Sequence, residues 1–199
     1  MPARVWYTIL AGKGPSKGGF LMEKKRSKAF APALIVSGAL TAAICLIMNL
    51  WLIPAIESAA GGLQAFDMRS FGYTAGEARE FLEALSEEGR QIYLTKQLPL
   101  DFFYPVCYTA FFVLSILALT KKRGRLWVIL PALLAAFDYA ENSFILSFLK
   151  KNAVPDVPGA VAGYVTAAKS LLMTATFMLL TVLFVLWVVR RAKQKKAGA

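Results

Sequence analysis

The stretch PGAVAGYVTAAKSLLMTATFMLLTVLFVLWVV, residues 158–189, carries a single charged side chain, Lys169. About 20 apolar residues at 1.5 Å of rise each cross a hydrocarbon core of about 30 Å, so this stretch reads as a membrane-spanning helix with length to spare. Working outward, residues 29–56, 98–120 and 126–149 are nearly as free of charge, and each is long enough to cross. The expected fold class is therefore all-α: a four-helix transmembrane bundle, with a short amphipathic extracytoplasmic helix between spans 1 and 2. The chain of 199 residues is 57% hydrophobic, yet its formal net charge is +11. A nucleic-acid binder of this charge would spread Lys and Arg over one face. Here they gather outside the spans, so no nucleic acid is expected, and the expected partner is the lipid bilayer, whose inner leaflet is anionic.

The positions of those charges give the topology. Before Ala29 stand Arg4, Lys13, Lys17, Lys24, Lys25, Arg26 and Lys28 against Glu23; Lys121-Lys122-Arg123-Gly124-Arg125 joins spans 2 and 3; Arg190, Arg191, Lys193, Lys195 and Lys196 follow the last span. Under the positive-inside rule all three groups are cytoplasmic, which gives an N-in/C-in protein with an even number of spans. The loop 57–97 sets four basic residues against seven acidic ones and belongs on the other side. The chain thus divides into a basic cytoplasmic segment 1–28, a four-span membrane domain 29–190 and a basic cytoplasmic tail 191–199. Met22-Glu23-Lys24-Lys25-Arg26 also reads as an internal start. A removed signal peptide is the competing reading of the first span, but the apolar run from Ala29 is about twice the length of an ordinary h-region.

Composition removes whole chemistries. With no histidine, imidazole metal sites, Ser-His-Asp catalysis and imidazole proton relays are impossible. Cys45 and Cys107 lie in separate spans without a C-x-x-C pair, and read as small buried apolar residues. No metal or other cofactor is expected.

Within the loop, Thr74 and Glu77 form a capping box, and Ala78, Phe81, Leu82 and Leu85 follow at helical spacing with Glu80, Glu83, Glu87 and Glu88 opposite. The pattern predicts a helix over about 75–88, stopped by Gly89. It reads either as a lid on the bundle or as a contact for a partner or lipid headgroup. Phe66-Asp67, Phe71-Gly72-Tyr73 and Ile92-Tyr93-Leu94 are expected near the membrane interface.

The informative residues are polar ones inside the spans. Asp138, Glu141 and Asn142 fall on one helical face of span 3. A carboxylate at mid-membrane costs about 2.5–3.5 kcal/mol, so this face should point inward and find a partner. Lys169 of span 4 is the candidate, at a matching depth of roughly 12–16 Å. Asp101, Tyr104 and Tyr108 of span 2, Asn49 of span 1, and Tyr164 and Thr166 of span 4 are expected in the same outward-facing half. Pro105 and Pro131 are expected to kink spans 2 and 3 beside them. An outward-opening acidic cluster suits a pocket for a small molecule or lipid headgroup; the same residues could instead specify helix register.

The run Phe66-Asp67, Gly72-Tyr73, Glu77-Ala78, Leu82, Leu85, Gly89-Arg90, Tyr93, then Asp101 to Tyr104-Pro105 and Tyr108, then Asp138 to Glu141-Asn142, resembles a family of uncharacterised small bacterial four-span membrane proteins over about residues 29–190. The resemblance implies a bacterial inner-membrane address and a four-helix bundle, and it carries no activity.

Two functions fit these residues. One is a non-catalytic protein that binds a small amphipathic or lipid-like ligand, or supports a membrane protein partner, through Asn49, Asp101, Tyr104, Tyr108, Asp138, Glu141, Asn142 and Lys169. The other is an intramembrane enzyme using Asp138 or Glu141 as general acid or base on a lipid-like substrate, oriented by Tyr104, Tyr108 and Lys169.

Overall fold

The computed structural model describes the backbone of residues 17–197, and side chains from 29 to 194 except 121–123 and 125. Much of the basic N-terminal segment, including the alternative start at Met22, most of the Lys121–Arg125 turn and the last lysines of the tail therefore lie outside the described side chains. In chain order the elements are α1 (Lys17–Ile47), a π-helical turn (Met48–Leu52), α2 (Ile53–Ala59), a 3-10 turn (Phe66–Met68), α3 (Ala75–Ala84), α4 (Glu87–Ile92), a second π-helical turn (Tyr93–Gln97), α5 (Leu98–Thr120), a 3-10 segment (Lys121–Val128), α6 (Ile129–Lys151) and α7 (Asp156–Ala197). There is no strand among the described residues. Four helices are long and apolar enough to cross a membrane, Ala29–Ala59, Glu87–Thr120, Leu126–Lys151 and Asp156–Gln194, which makes the chain a multi-pass membrane protein by length and composition.

The prolines explain the irregular turns. Each π-helical turn ends two residues before a proline, Pro54 or Pro99. A proline ring clashes with the carbonyl four residues back, so the backbone widens ahead of it: Ile53 N–H reaches Met48 O, and Leu98 N–H reaches Tyr93 O, five residues back. Pro105 lies inside α5. Pro131, unlike Pro105, lies near the start of its helix. It stands in the first turn of α6, where its missing N–H has no helical partner to lose.

The loop helix is shorter than its periodicity predicted, and Gly89 does not stop it. α3 ends at Ala84; Leu85 turns extended and is buried, and the Ser86 hydroxyl accepts from Gly89 N–H at 3.2 Å to start α4. Span 2 thus begins at Glu87 rather than at 98. Gly89 is glycine because any Cβ there would strike Ala59, so it lets span 2 close on the end of span 1.

Span 2 is the central helix, packed along spans 1, 3 and 4, while spans 3 and 4 pair closely and span 1 flanks span 2. Residues 60–86 fold across one end of this arrangement as a lid. The capping box is made, with Thr74 N–H donating to Glu77 Oε2 at 2.7 Å and Glu77 N–H to Thr74 Oγ1 at 3.2 Å. Thr74 N–H and the Thr74 hydroxyl, which donates to the same Glu77 Oε2 at 2.8 Å, hold the exposed Glu77 carboxyl below its ordinary range. Ala78, Phe81, Leu82 and Leu85 are buried beneath α3, each large side chain contributing about 1.5–3 kcal/mol. The lid docks on α7 by backbone contact: Gly72, at φ +82°, abuts Gly163, and a Cβ at Gly163 would overlap the Tyr73 carbonyl. Arg79 ties α3 to the turn before α7, donating to Val154 O at 3.2 Å and to Asp156 Oδ1 at 2.6 Å. Arg90 ties the start of span 2 to the end of span 3 through Leu149 O, at 2.8 Å, and through Asn152, whose left-handed conformation (φ 49°) closes α6.

Candidate functional site

One face of span 2 organises the polar cluster. Tyr93, Gln97 and Asp101 stand four residues apart and therefore one above another, about 6 Å per step. Tyr93 O–H donates to Asp67 Oδ2 at 2.9 Å, and the Gln97 amide donates to Asp101 Oδ2 at 2.9 Å. Deeper along the same span, Tyr108 O–H donates to Asp138 Oδ2 at 2.9 Å, with the Tyr104 ring edge-on to Tyr108 at 5.1 Å. From span 4, the Lys169 ammonium donates to Glu141 and stands 3.6 Å from Asp138 Oδ1. The predicted Lys169–Glu141 pair is formed.

Asn142 has a specific structural duty. Pro105 has no N–H to give to Asp101 O, and the Asn142 amide donates to that carbonyl instead, at 2.9 Å. Tyr139 O–H donates to the neighbouring carbonyl, Phe102 O, at 3.2 Å. The polar face of span 3 thus mends a break in the hydrogen-bond ladder of span 2.

Asp101, Tyr104, Tyr108, Asp138, Glu141, Asn142, Lys169 and Thr166 come together as the spacing suggested. Asn49 and Tyr164 do not. Asn49 is exposed on the flanking span and gives its amide to Cys45 O on its own helix; Tyr164 is 78% exposed. Sequence reasoning missed Asp67, Tyr93 and Gln97. Tyr93 and Asp67 were read only as interface neighbours, and Gln97 sat one residue before the expected start of span 2. The Gln-x-x-x-Asp spacing that puts Gln97 and Asp101 on one face was the available signal.

The loop-side end of the cluster is closed by aromatic rings. Phe66 packs edge-on to Phe81 at 4.8 Å and lies within 6.3 Å of both Tyr93 and Phe148. Two surface clefts, of about 450 and 370 Å³, lie on the lid; the first runs between Arg79, Arg90 and Val154, the second beside Arg69 and Phe71, and neither is lined by a cluster residue. Burial raises the Asp67 carboxyl above the ordinary carboxylate range, against the lowering effect of the Lys169 ammonium and the Tyr93 hydroxyl.

The cluster is unbalanced in charge and in hydrogen bonds. Four carboxylates, Asp67, Asp101, Asp138 and Glu141, are gathered about one ammonium, Lys169. Glu141 Oε1, Gln97 Oε1, Asn142 Oδ1 and Asp67 Oδ1 are buried acceptors without a donor. Among the described residues, no three His, Cys, Asp or Glu side chains are arranged to hold a metal ion. The Tyr73 hydroxyl, beside Glu141 and Asp67, is buried without a partner as well, so the cluster leaves four acceptors and one hydroxyl unpaired. Compared with protein-family models, curated proteins and solved structures, the chain matches none of them.

Proposed function

We propose that this protein resides in a bacterial inner membrane with both termini cytoplasmic and the lid extracytoplasmic, and that its polar cluster binds a small amphipathic or lipid-like ligand. The basic residues before span 1, between spans 2 and 3 and after span 4 support that orientation. The observation that carries the binding reading is the set of orphaned acceptors. A buried acceptor without a donor costs about 1–3 kcal/mol, and here four occur in one cluster. A network serving only helix register would gain by satisfying them; a ligand with a hydrogen-bonding head does so on arrival, its apolar part lying among the helices. Entry runs past the lid, which rests on α7 by backbone contact and a few polar ties.

Thermal unfolding of the detergent-purified protein, with and without bacterial lipid extract, tests this. The extract is expected to raise the midpoint of the wild type, and Asp101→Asn and Glu141→Gln to stay folded while losing the rise. An unchanged wild-type midpoint, or a rise that persists in both variants, overturns the proposal.

A further inference from the structure

The two sides of the cluster differ in how their carboxylates are served. On one side, Lys169 gives its ammonium to Glu141 and stands near Asp138, and Tyr108 supplies Asp138 with a further donor. On the other side, Asp67 accepts from the Tyr93 hydroxyl and Asp101 from the Gln97 amide, which also lies beside Asp67; among the described residues no ammonium or guanidinium stands within 4 Å of either carboxyl, and Lys169 acts on both only from farther away. Gln97 lies one helical turn from each of Tyr93 and Asp101, between the Asp67 tier and the Asp101 tier. It is fully buried, and its carbonyl oxygen has no donor. Asn142, held against the Asp101 backbone, is also fully buried and likewise leaves its carbonyl oxygen unpartnered.

Resting on the ligand-binding reading above, we infer that the ligand's head is a primary ammonium group, seated between Asp67 and Asp101 against the carbonyl oxygens of Gln97 and Asn142. Such a group brings what this side lacks: one positive charge for two carboxylates, and three N–H donors for orphaned acceptors. A hydroxyl would bring one donor and no charge. A quaternary ammonium would bring charge and no N–H. Lys169 already shows the arrangement on the opposite side of the cluster, an alkyl chain ending in an ammonium between two carboxylates. The ligand repeats that chemistry from a second direction, with its apolar chain in place of the lysine stem.

The test uses the full chain in a neutral detergent at pH 7 and three probes with the same chain length: dodecylammonium, dodecyltrimethylammonium and dodecanol. Dodecylammonium is expected to raise the unfolding midpoint, and the other two to leave it unchanged. Asp67→Asn, a lid residue, is expected to weaken the dodecylammonium response by at least about tenfold in concentration, the worth of a charge-assisted hydrogen bond. Gln97→Lys places an ammonium in the same seat from within, and is expected to raise the midpoint by itself and to abolish the response. An equal response to dodecanol or to dodecyltrimethylammonium that is lost in Asp67→Asn overturns the primary ammonium and leaves the ligand site standing. No response to any probe, with both variants behaving as wild type while lipid extract still acts, also overturns the ammonium. No response to probes or extract overturns both.

Discussion

The loop-side and tail-side halves of this helix bundle are built on different principles. In the loop-side half, spans 2, 3 and 4 and the lid share one hydrogen-bonded polar interior, sealed by Phe66, Phe81, Tyr93 and Phe148 and fastened by Arg79 and Arg90. In the tail-side half the buried cluster is small, Tyr108, Phe112 and Leu134 with Phe177 edge-on to Phe112, and span 4 shows Met178, Val182, Phe184 and Val185 on its surface. Apolar surface of that kind is at home in lipid and gains little from further helix contact. The difference teaches where specificity resides: one half is defined by its protein partners, the other by its solvent.

The sharpest way to break that contrast is Lys169→Met. It leaves Glu141 and Asp138 buried without a cation and should cost about 3–5 kcal/mol, a large part of a typical total stability. Val185→Ala, on the lipid-facing side of the same helix, should cost no more than about 0.5 kcal/mol. Thermal unfolding in detergent compares them, and a Val185→Ala penalty as large as that of Lys169→Met would show that the tail-side half carries the fold.

Two glycines sharpen the contrast further. Gly163→Ala forces the lid backbone away from α7 and should cost about 1–3 kcal/mol, with faster proteolysis of residues 60–86. Gly38→Ala in span 1 meets only the Phe111 ring, at 3.0 Å, and should be close to neutral. Equal protease sensitivity in the two variants would mean that the lid is not held by its contact with span 4. Among the variants expected to destabilise the loop-side half, Asn142→Ala has the smallest effect, about 1 kcal/mol for the loss of a hydrogen bond between membrane helices. Pro105→Ala restores the N–H that Asp101 O lacks, so the double variant should recover most of that loss. Additive penalties in this cycle would assign Asn142 a role other than mending α5.

Hydropathy made the four spans legible, because a run without charge needs no tertiary information to be recognised. The Lys169–Glu141 pair was legible for a similar reason: few charges occur in the spans, and their depths can be counted. Asp67 was not legible, because its place in the cluster depends on a loop folding back onto helices far from it in sequence. Gln97 was hidden by the position of the span boundary. Ser86, followed by Glu87 and Glu88, is a good helix start, but the stronger pattern of α3 ran past it and made Gly89 look like a stop. The duty of Asn142 follows from Pro105 once the two helices are seen side by side, and the separate spans gave no sign of it.

The lid's attachment to α7 also sets an order of assembly. Arg79 meets Asp156 across 77 residues of chain, and Gly72 meets Gly163 across a still longer interval. During synthesis the loop between spans 1 and 2 therefore emerges well before the surface that will hold it. Spans 2 and 3 can already align Asp101 with Asn142 and Tyr108 with Asp138, but Glu141 has no counter-ion and the loop no floor to rest on. The arrival of span 4 supplies both at once, on one helix, with Lys169 for the acids and Gly163 for the loop. Burial of charge and closure of the site are thereby coupled to the last insertion event, and a nascent chain halted before span 4 keeps its acidic interior hydrated.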